Sequence, residues 1–225
     1  MFLYHGDDTA KSRTALFDLI ASCRHRGQPA VNFNGREVDL TEVIQTLESS
    51  DVLGTKQLVV IEGLLTAPKS ARQSRIIDYL ARQPIGTPLA LWENRKIAAN
   101  KFKAVKLDRR EFSLPKILFT WLEILSPQPT TKAISLLHQL LAKQPAELIL
   151  FMLIRHVRQL IMAAFAPASL SGPGWLTAKL ITQAKRFSPA QLLDWHKQLY
   201  LIDKETKTGQ TALPLAERLR NLILG

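Results

Sequence analysis

The sequence predicts an α/β domain built on a parallel sheet over residues 1–110, followed by an all-helical bundle over residues 111–225. Three observations predict it. Short, continuously apolar β-type runs alternate with helical patterns through Leu107, the β signal then stops, and from Leu114 onward apolar residues recur only at helical spacing. Continuous apolar strands separated by helices imply a sheet covered on both faces, because a strand with one face in water alternates apolar and polar residues instead.

Five strands are expected in order: Phe2–Tyr4, Ala30–Phe33, Leu58–Ile61, Leu89–Trp92 and Ala104–Leu107. Between them lie three amphipathic helices. Leu16, Leu19, Ile20 and Cys23 form an i, i+3, i+4, i+7 stripe on the first, Val43, Ile44 and Leu47 mark the second, and Ile76, Ile77 and Leu80 the third. In the helical half, Ala133, Leu137, Leu140 and Leu141 mark one helix, Leu192, Trp195, Leu199 and Ile202 another, and Leu215, Ala216, Leu219 and Leu222 the last. Ser188-Pro189 reads as a cap followed by a first helical residue. Ala146–Phe165 is apolar on nearly all sides over its first half, which predicts a central helix forming the bundle core. Arg155 and Arg158, three apart on that helix, can meet an acidic partner subunit.

With 225 residues, 46% of them hydrophobic, the chain is long enough for real cores, and disordered and collagen-like classes are excluded. The longest apolar run, Leu148–Ile154, falls far short of the ~18 residues of a membrane-spanning helix, so no membrane partner is expected. The single cysteine excludes an internal disulfide framework, and the opening Met-Phe-Leu-Tyr-His-Gly-Asp-Asp lacks the form of a signal peptide; both predict a reducing, cytoplasmic location. A formal charge of +11 favours a polyanion or an acidic protein surface as partner. The excess is 15 basic against 11 acidic residues through Leu107 and 15 against 8 thereafter. It is densest at the junction, where Arg95, Lys96, Lys101, Lys103, Lys106, Arg109 and Arg110 are opposed only by Asp108. That stretch reads either as a solvated face or as a strip following a phosphate backbone.

The first strand runs into Gly6-Asp7-Asp8-Thr9-Ala10-Lys11-Ser12, where a phosphate-binding loop would sit. Such a loop needs Gly-x-x-x-x-Gly-Lys-Ser/Thr, because its backbone N–H groups curl round the phosphates and its Lys reaches their far end. Here the spacing is one residue short, the second Gly is absent, and Asp7 and Asp8 would repel phosphate. Gly6, Lys11 and Ser12 are therefore read as a degenerate loop, and the acidic pair as a cap for the first helix. No catalytic residue, metal ligand or cofactor is expected: the five histidines are scattered, Cys23 lies in an apolar stripe, and no nucleophile elbow occurs. The four Trp residues are expected in cores. In the loop before the third strand, Val52 and Leu53 stand between turn-forming Ser49-Ser50-Asp51 and Gly54-Thr55-Lys56, so at least one is expected to be exposed to a partner.

Ser49 to Glu62 resembles the loop and strand of the bacterial DNA polymerase III delta subunit, which reads Ser-x-x-Leu-Phe-Gly-x-x-Arg-Leu-Val-Val-Ile there. Tyr4-His5-Gly6-Asp7-Asp8 is similar to the family's opening, and Asn94-Arg95-Lys96 through Lys106 to its Lys-rich stretch. Lys179 to Leu192 and Leu201 to Gly209 follow the family's Lys-x-x-x-Gln-Ala-x-x-Phe-Ser-x-x-x-Leu and Asp-x-x-x-Lys-x-Gly. Two departures stand out: the small helical lid domain usual between the two regions is missing, and Leu-Phe is replaced by Val52-Leu53.

The resemblance implies a degenerate AAA+ nucleotide-binding core followed by a collar-type bundle, in a non-catalytic subunit that binds and opens the sliding clamp. It implies Val52 and Leu53 as the clamp contact, and the beta clamp, gamma/tau-type and delta-prime-type loader subunits and primer-template DNA as partners. Arg95, Lys96, Lys101, Lys103 and Lys106 are the candidate DNA contacts. The alternatives are a stand-alone basic nucleic-acid-binding protein and a nucleotide-dependent enzyme with an unusual phosphate loop.

Overall fold

In the structure, a computed structural model, residues 1–49, 56–84, 87–98 and 107–224 are described. They form two compact units, Met1–Leu114 and Pro115–Gly225. The first contains β1 (Phe2–His5), α1 (Thr9–His25), β2 (Ala30–Asn34), α2 (Leu40–Glu48), β3 (Leu58–Glu62), α3 (Ala71–Ala81), β4 (Leu89–Glu93) and β5 (Asp108–Glu111). All strand pairs are parallel, in the order β2-β3-β4-β1-β5.

Side-chain alternation along the strands builds two cores. Val59 and Ile61 of β3 and Leu89 and Leu91 of β4 face α2 and α3, where Val43, Leu47, Ile76 and Leu80 are buried. Their neighbours Leu58, Val60, Ala90 and Trp92 face α1 and its buried Leu16, Ile20 and Cys23. Both faces being covered is why these strands read as unbroken apolar runs. Fully burying each such Leu, Ile or Val stabilises the fold by about 1.5–3 kcal/mol.

The fifth strand lies one step later than expected. Of Ala104–Leu107, residues 104–106 lie outside the described residues, and Leu107 precedes a strand made of Asp-Arg-Arg-Glu. Among the described residues β5 pairs only with β1, which makes it a sheet edge, where charged side chains suit a strand with one free side and deter pairing with other chains. The backbone continues onto β1 beyond residue 110, with the Phe112 amide donating to His5 O (2.8 Å), so the first unit runs to Leu114.

The second unit contains α4 (Lys116–Ile124), α5 (Thr131–Leu141), α6 (Ala146–Phe165), a 3₁₀ turn (Pro167–Ser169), α7 (Gly174–Ala184), α8 (Pro189–Thr208) and α9 (Leu215–Leu224), with no strand among the described residues. Ser188 caps α8 in a reciprocal box: its Oγ accepts from the Gln191 amide (3.2 Å) and its amide donates to Gln191 Oε1 (2.8 Å). At the other end of α8, Gly209 takes the left-handed conformation that favours glycine.

α6 touches α4, α5, α7, α8 and α9 and buries Ile149, Leu150, Met152, Leu153, His156, Val157, Leu160 and Ala163. By length and composition it could cross a bilayer, but nearly half of it is buried against the other helices and Arg155 and Arg158 sit near its middle, where a membrane would penalise them. The expectation that its first half is buried on nearly all sides is corrected at Phe151, which is 62% exposed. The expectation for Trp fails at Trp175, which is 64% exposed; Trp92 and Trp121 are buried.

Candidate functional site

The C-terminal ends of β1 and β4 adjoin in the sheet, and the chain leaves them in different directions, β1 into α1 and β4 toward β5. That is where an open parallel sheet usually holds its ligand. Here the loop after β1 is closed by the protein's own backbone. Gly6 has φ +138°, and a Cβ on it would fall 1.9 Å from Phe112 O, so only glycine lets the chains approach this closely. The Asp8 amide donates to Phe112 O (3.0 Å), and the Leu114 amide donates to Asp7 Oδ1 (2.9 Å).

The rest of the loop is committed in the same way. Asp8 is the N-cap of α1, accepting from the Lys11 amide (3.1 Å) and pairing with Lys11 Nζ (3.2 Å). Ser12 is fully buried, its hydroxyl donating to Thr9 O (3.1 Å) and accepting from Trp92 Nε1 (3.1 Å). The structure thus brings Gly6, Lys11 and Ser12 together, but the amide, ammonium and hydroxyl a bound nucleotide would need all hold this loop shut.

Two buried titratable groups beside the loop have no role in the sequence reading. Glu93 is fully buried and clasps the turn after β3: the Leu65 amide (2.6 Å), the Thr66 amide (3.2 Å) and Thr66 Oγ1 (2.7 Å) all donate to it. Burial pushes its carboxyl above the usual range, opposed by those hydrogen bonds. His5 is also buried, its Nδ1 accepting from the Ile97 amide (3.2 Å), and burial pushes its pKa down. Glu93 ends an apolar strand and reads as its polar terminus; only the fold reveals three donors converging on it.

Of the basic junction, Arg95, Lys96, Arg109 and Arg110 are described; Arg95, Lys96 and Arg110 are exposed and Arg109 is half-buried. Arg95 donates to Thr66 O (3.2 Å), and Lys96 pairs with Glu111 (2.7 Å), which in turn accepts from Ser113 Oγ. The hydrogen bond to Glu111 raises the Lys96 pKa and lowers that of the carboxylate. Lys101, Lys103 and Lys106, and the apolar pair Val52-Leu53, lie outside the described residues.

In the helical unit, Gln183 ties three helices together. Its Nε2 donates to Leu122 O (2.7 Å) and Leu125 O (3.3 Å) at the end of α4, which leaves its Oε1 to accept from His156 Nε2 of α6 (3.0 Å). Burial holds the His156 pKa down.

Among solved structures, the chain is similar to the Bacillus subtilis DNA clamp loader delta protein (YqeN), with 13% identity and a TM-score of 0.48 over 99% of this chain and 94% of that chain. No protein-family model matches the sequence, and no curated protein matches it.

Proposed function

We propose that this chain is a non-catalytic, delta-like subunit of a bacterial clamp loader that binds the sliding clamp and helps open it for loading onto primed DNA. The observation that carries the reading is the closed loop after β1. A parallel-sheet domain whose phosphate position has become a helix cap acts as a structural arm, and ATP would be handled by other loader subunits. The motif resemblance over Ser49–Glu62 and Lys179–Gly209 supplies the partner: the α/β unit presents Val52 and Leu53 to the clamp, and the helical unit joins the other subunits. No cofactor takes part in this role, and the work is done in the cytoplasm, at the nucleoid during replication.

The test is binding of the full-length chain to its organism's sliding clamp. Two apolar side chains buried in a fitted pocket supply roughly 3–5 kcal/mol. Val52→Ser/Leu53→Ser should therefore weaken clamp binding by on the order of a hundredfold or more, with an unchanged circular-dichroism melt. A folded double variant that binds as tightly as the parent rules out Val52 and Leu53 as the clamp contact.

A second reading, a stand-alone nucleic-acid-binding protein, is favoured by the net charge of +11. It requires tight, steeply salt-dependent DNA binding by the chain alone and no protein partner.

A further inference from the structure

We propose that the cavity between α4, α6 and α7 binds a small carboxylate whose apolar part is the size of a single six-membered ring. The cavity has a volume of about 170 Å³. Its floor is made of buried side chains, Leu122 of α4, Met152 and His156 of α6, and Leu180 and Gln183 of α7, with half-buried Leu176 as a wall. The exposed residues that line it, Phe119, Glu123, Arg155 and Lys179, form the mouth. An apolar floor with a few polar groups converging on it is the usual form of a small-molecule site. Size narrows the occupant: an apolar cavity of about 150 Å³ admits benzene, so this one takes a single ring and not two fused rings.

The hydrogen bonds of the floor decide which end of the ligand lies inward. Gln183 Nε2 spends both its protons on Leu122 O and Leu125 O, and the Nε2–H of His156, which burial holds neutral, goes to Gln183 Oε1. The floor therefore has no donor left for an anion, and a carboxylate placed there would be buried without compensation. The ring goes in, against the polarizable Met152 side chain, and the head group stays at the mouth. There, one carboxylate, Glu123, stands against two cations, Arg155 and Lys179, a net charge of +1. Lys179 Nζ holds Glu123 Oε1 at 3.1 Å, so the charge left over is Arg155, whose planar fork matches a carboxylate. No described carboxylate lies within ion-pair distance of Arg155, Glu147 two turns back on α6 included. Gln159, one turn on from Arg155 and also lining the cavity, adds an amide donor on the same side. The inference goes beyond the clamp-loader reading, since the ligand needs neither a sliding clamp nor another subunit.

The probes are benzoate, benzyl alcohol and naphthoate, titrated into the full-length protein and followed by two-dimensional NMR. Benzoate should shift the Gln183 side-chain amide and the backbone amides of Arg155 and Leu180. It should bind about tenfold more tightly than benzyl alcohol, the gain from one charge-assisted contact. Naphthoate should bind more weakly than benzoate, although its second ring offers more apolar area. Arg155→Gln changes an exposed side chain, should leave the thermal melt unaltered, and should bring benzoate down to the affinity of benzyl alcohol. Lys197→Gln, which removes an exposed charge of α8 outside the cavity, should leave the difference in place. Benzyl alcohol binding as tightly as benzoate, naphthoate binding more tightly, shifts confined to other helices, or the same loss in both variants overturns the proposal. So does the absence of binding at millimolar benzoate. The comparison of the three probes in the parent protein decides the matter whatever either substitution does to folding.

Discussion

Asp8 shows how one carboxylate decides what a loop can do. It caps α1 through the Lys11 amide and holds the Lys11 ammonium, so the charge that would reach a terminal phosphate is already neutralised. Ser12 is buried against Trp92, and Phe112 fills the space in front of Gly6. Calorimetric titration with Mg-ATP should therefore show no binding; micromolar binding lost in Lys11→Ala would overturn this and restore the nucleotide-dependent reading. The capping role of Asp8 was legible in the sequence, because a carboxylate ahead of a helix has a local meaning, whereas Asp7, read as part of the same cap, accepts instead from the Leu114 amide. The seal was not. Phe112 and Leu114 are more than a hundred residues from the loop they close, and nothing near Gly6 announces them. Glu93 escaped for the same reason, since its donors come from another strand's turn.

Among the elements, legibility followed burial. β3 and β4, packed on both faces, announce themselves as apolar runs, and α8 through its cap and stripe. β5 does not, because an edge strand of Asp-Arg-Arg-Glu has no apolar period and is defined only by β1 beside it. α6 was located to its ends, yet its exposed side was invisible: Phe151 contributes the same apolar signal whether it faces the core or a groove. The junction of α4, α6 and α7 also sets a pH response. His156 is held neutral by burial, so its folded pKa lies below that in the unfolded chain. Between those two values the unfolded state binds more protons, and stability rises with pH there and falls as pH drops from the ordinary histidine value toward the folded one. Denaturant titrations from pH 7.5 to pH 5 should show the wild type losing stability relative to His156→Gln, which keeps a donor for Gln183 Oε1. A constant difference between the two proteins across that range would mean that His156 is not the titrating group. Glu93, whose pKa is pushed up, acts with the opposite sign, and the paired comparison cancels it.

For the whole molecule, the charge of +11 is the property most visible in the sequence and least localised by it. Where the fold describes the junction, its cations are already engaged: Lys96 with Glu111, Arg110 with Asp108, and Arg95 with a backbone carbonyl. A phosphate would have to displace those contacts at Arg95 and Lys96, so in the proposed loader the sequence-independent DNA affinity falls mainly to Lys101, Lys103 and Lys106. Each phosphate contact on duplex DNA releases about 0.9 of a counterion, which sets the slope of log affinity against log salt. Replacing the three lysines with Glu should weaken DNA-dependent clamp loading and flatten that slope by about 2 to 3 units. Clamp binding without DNA should be untouched, because it is assigned to Val52 and Leu53. If the triple variant loads clamps with an unchanged salt slope, the junction is a solvated face, and the excess charge serves solubility instead.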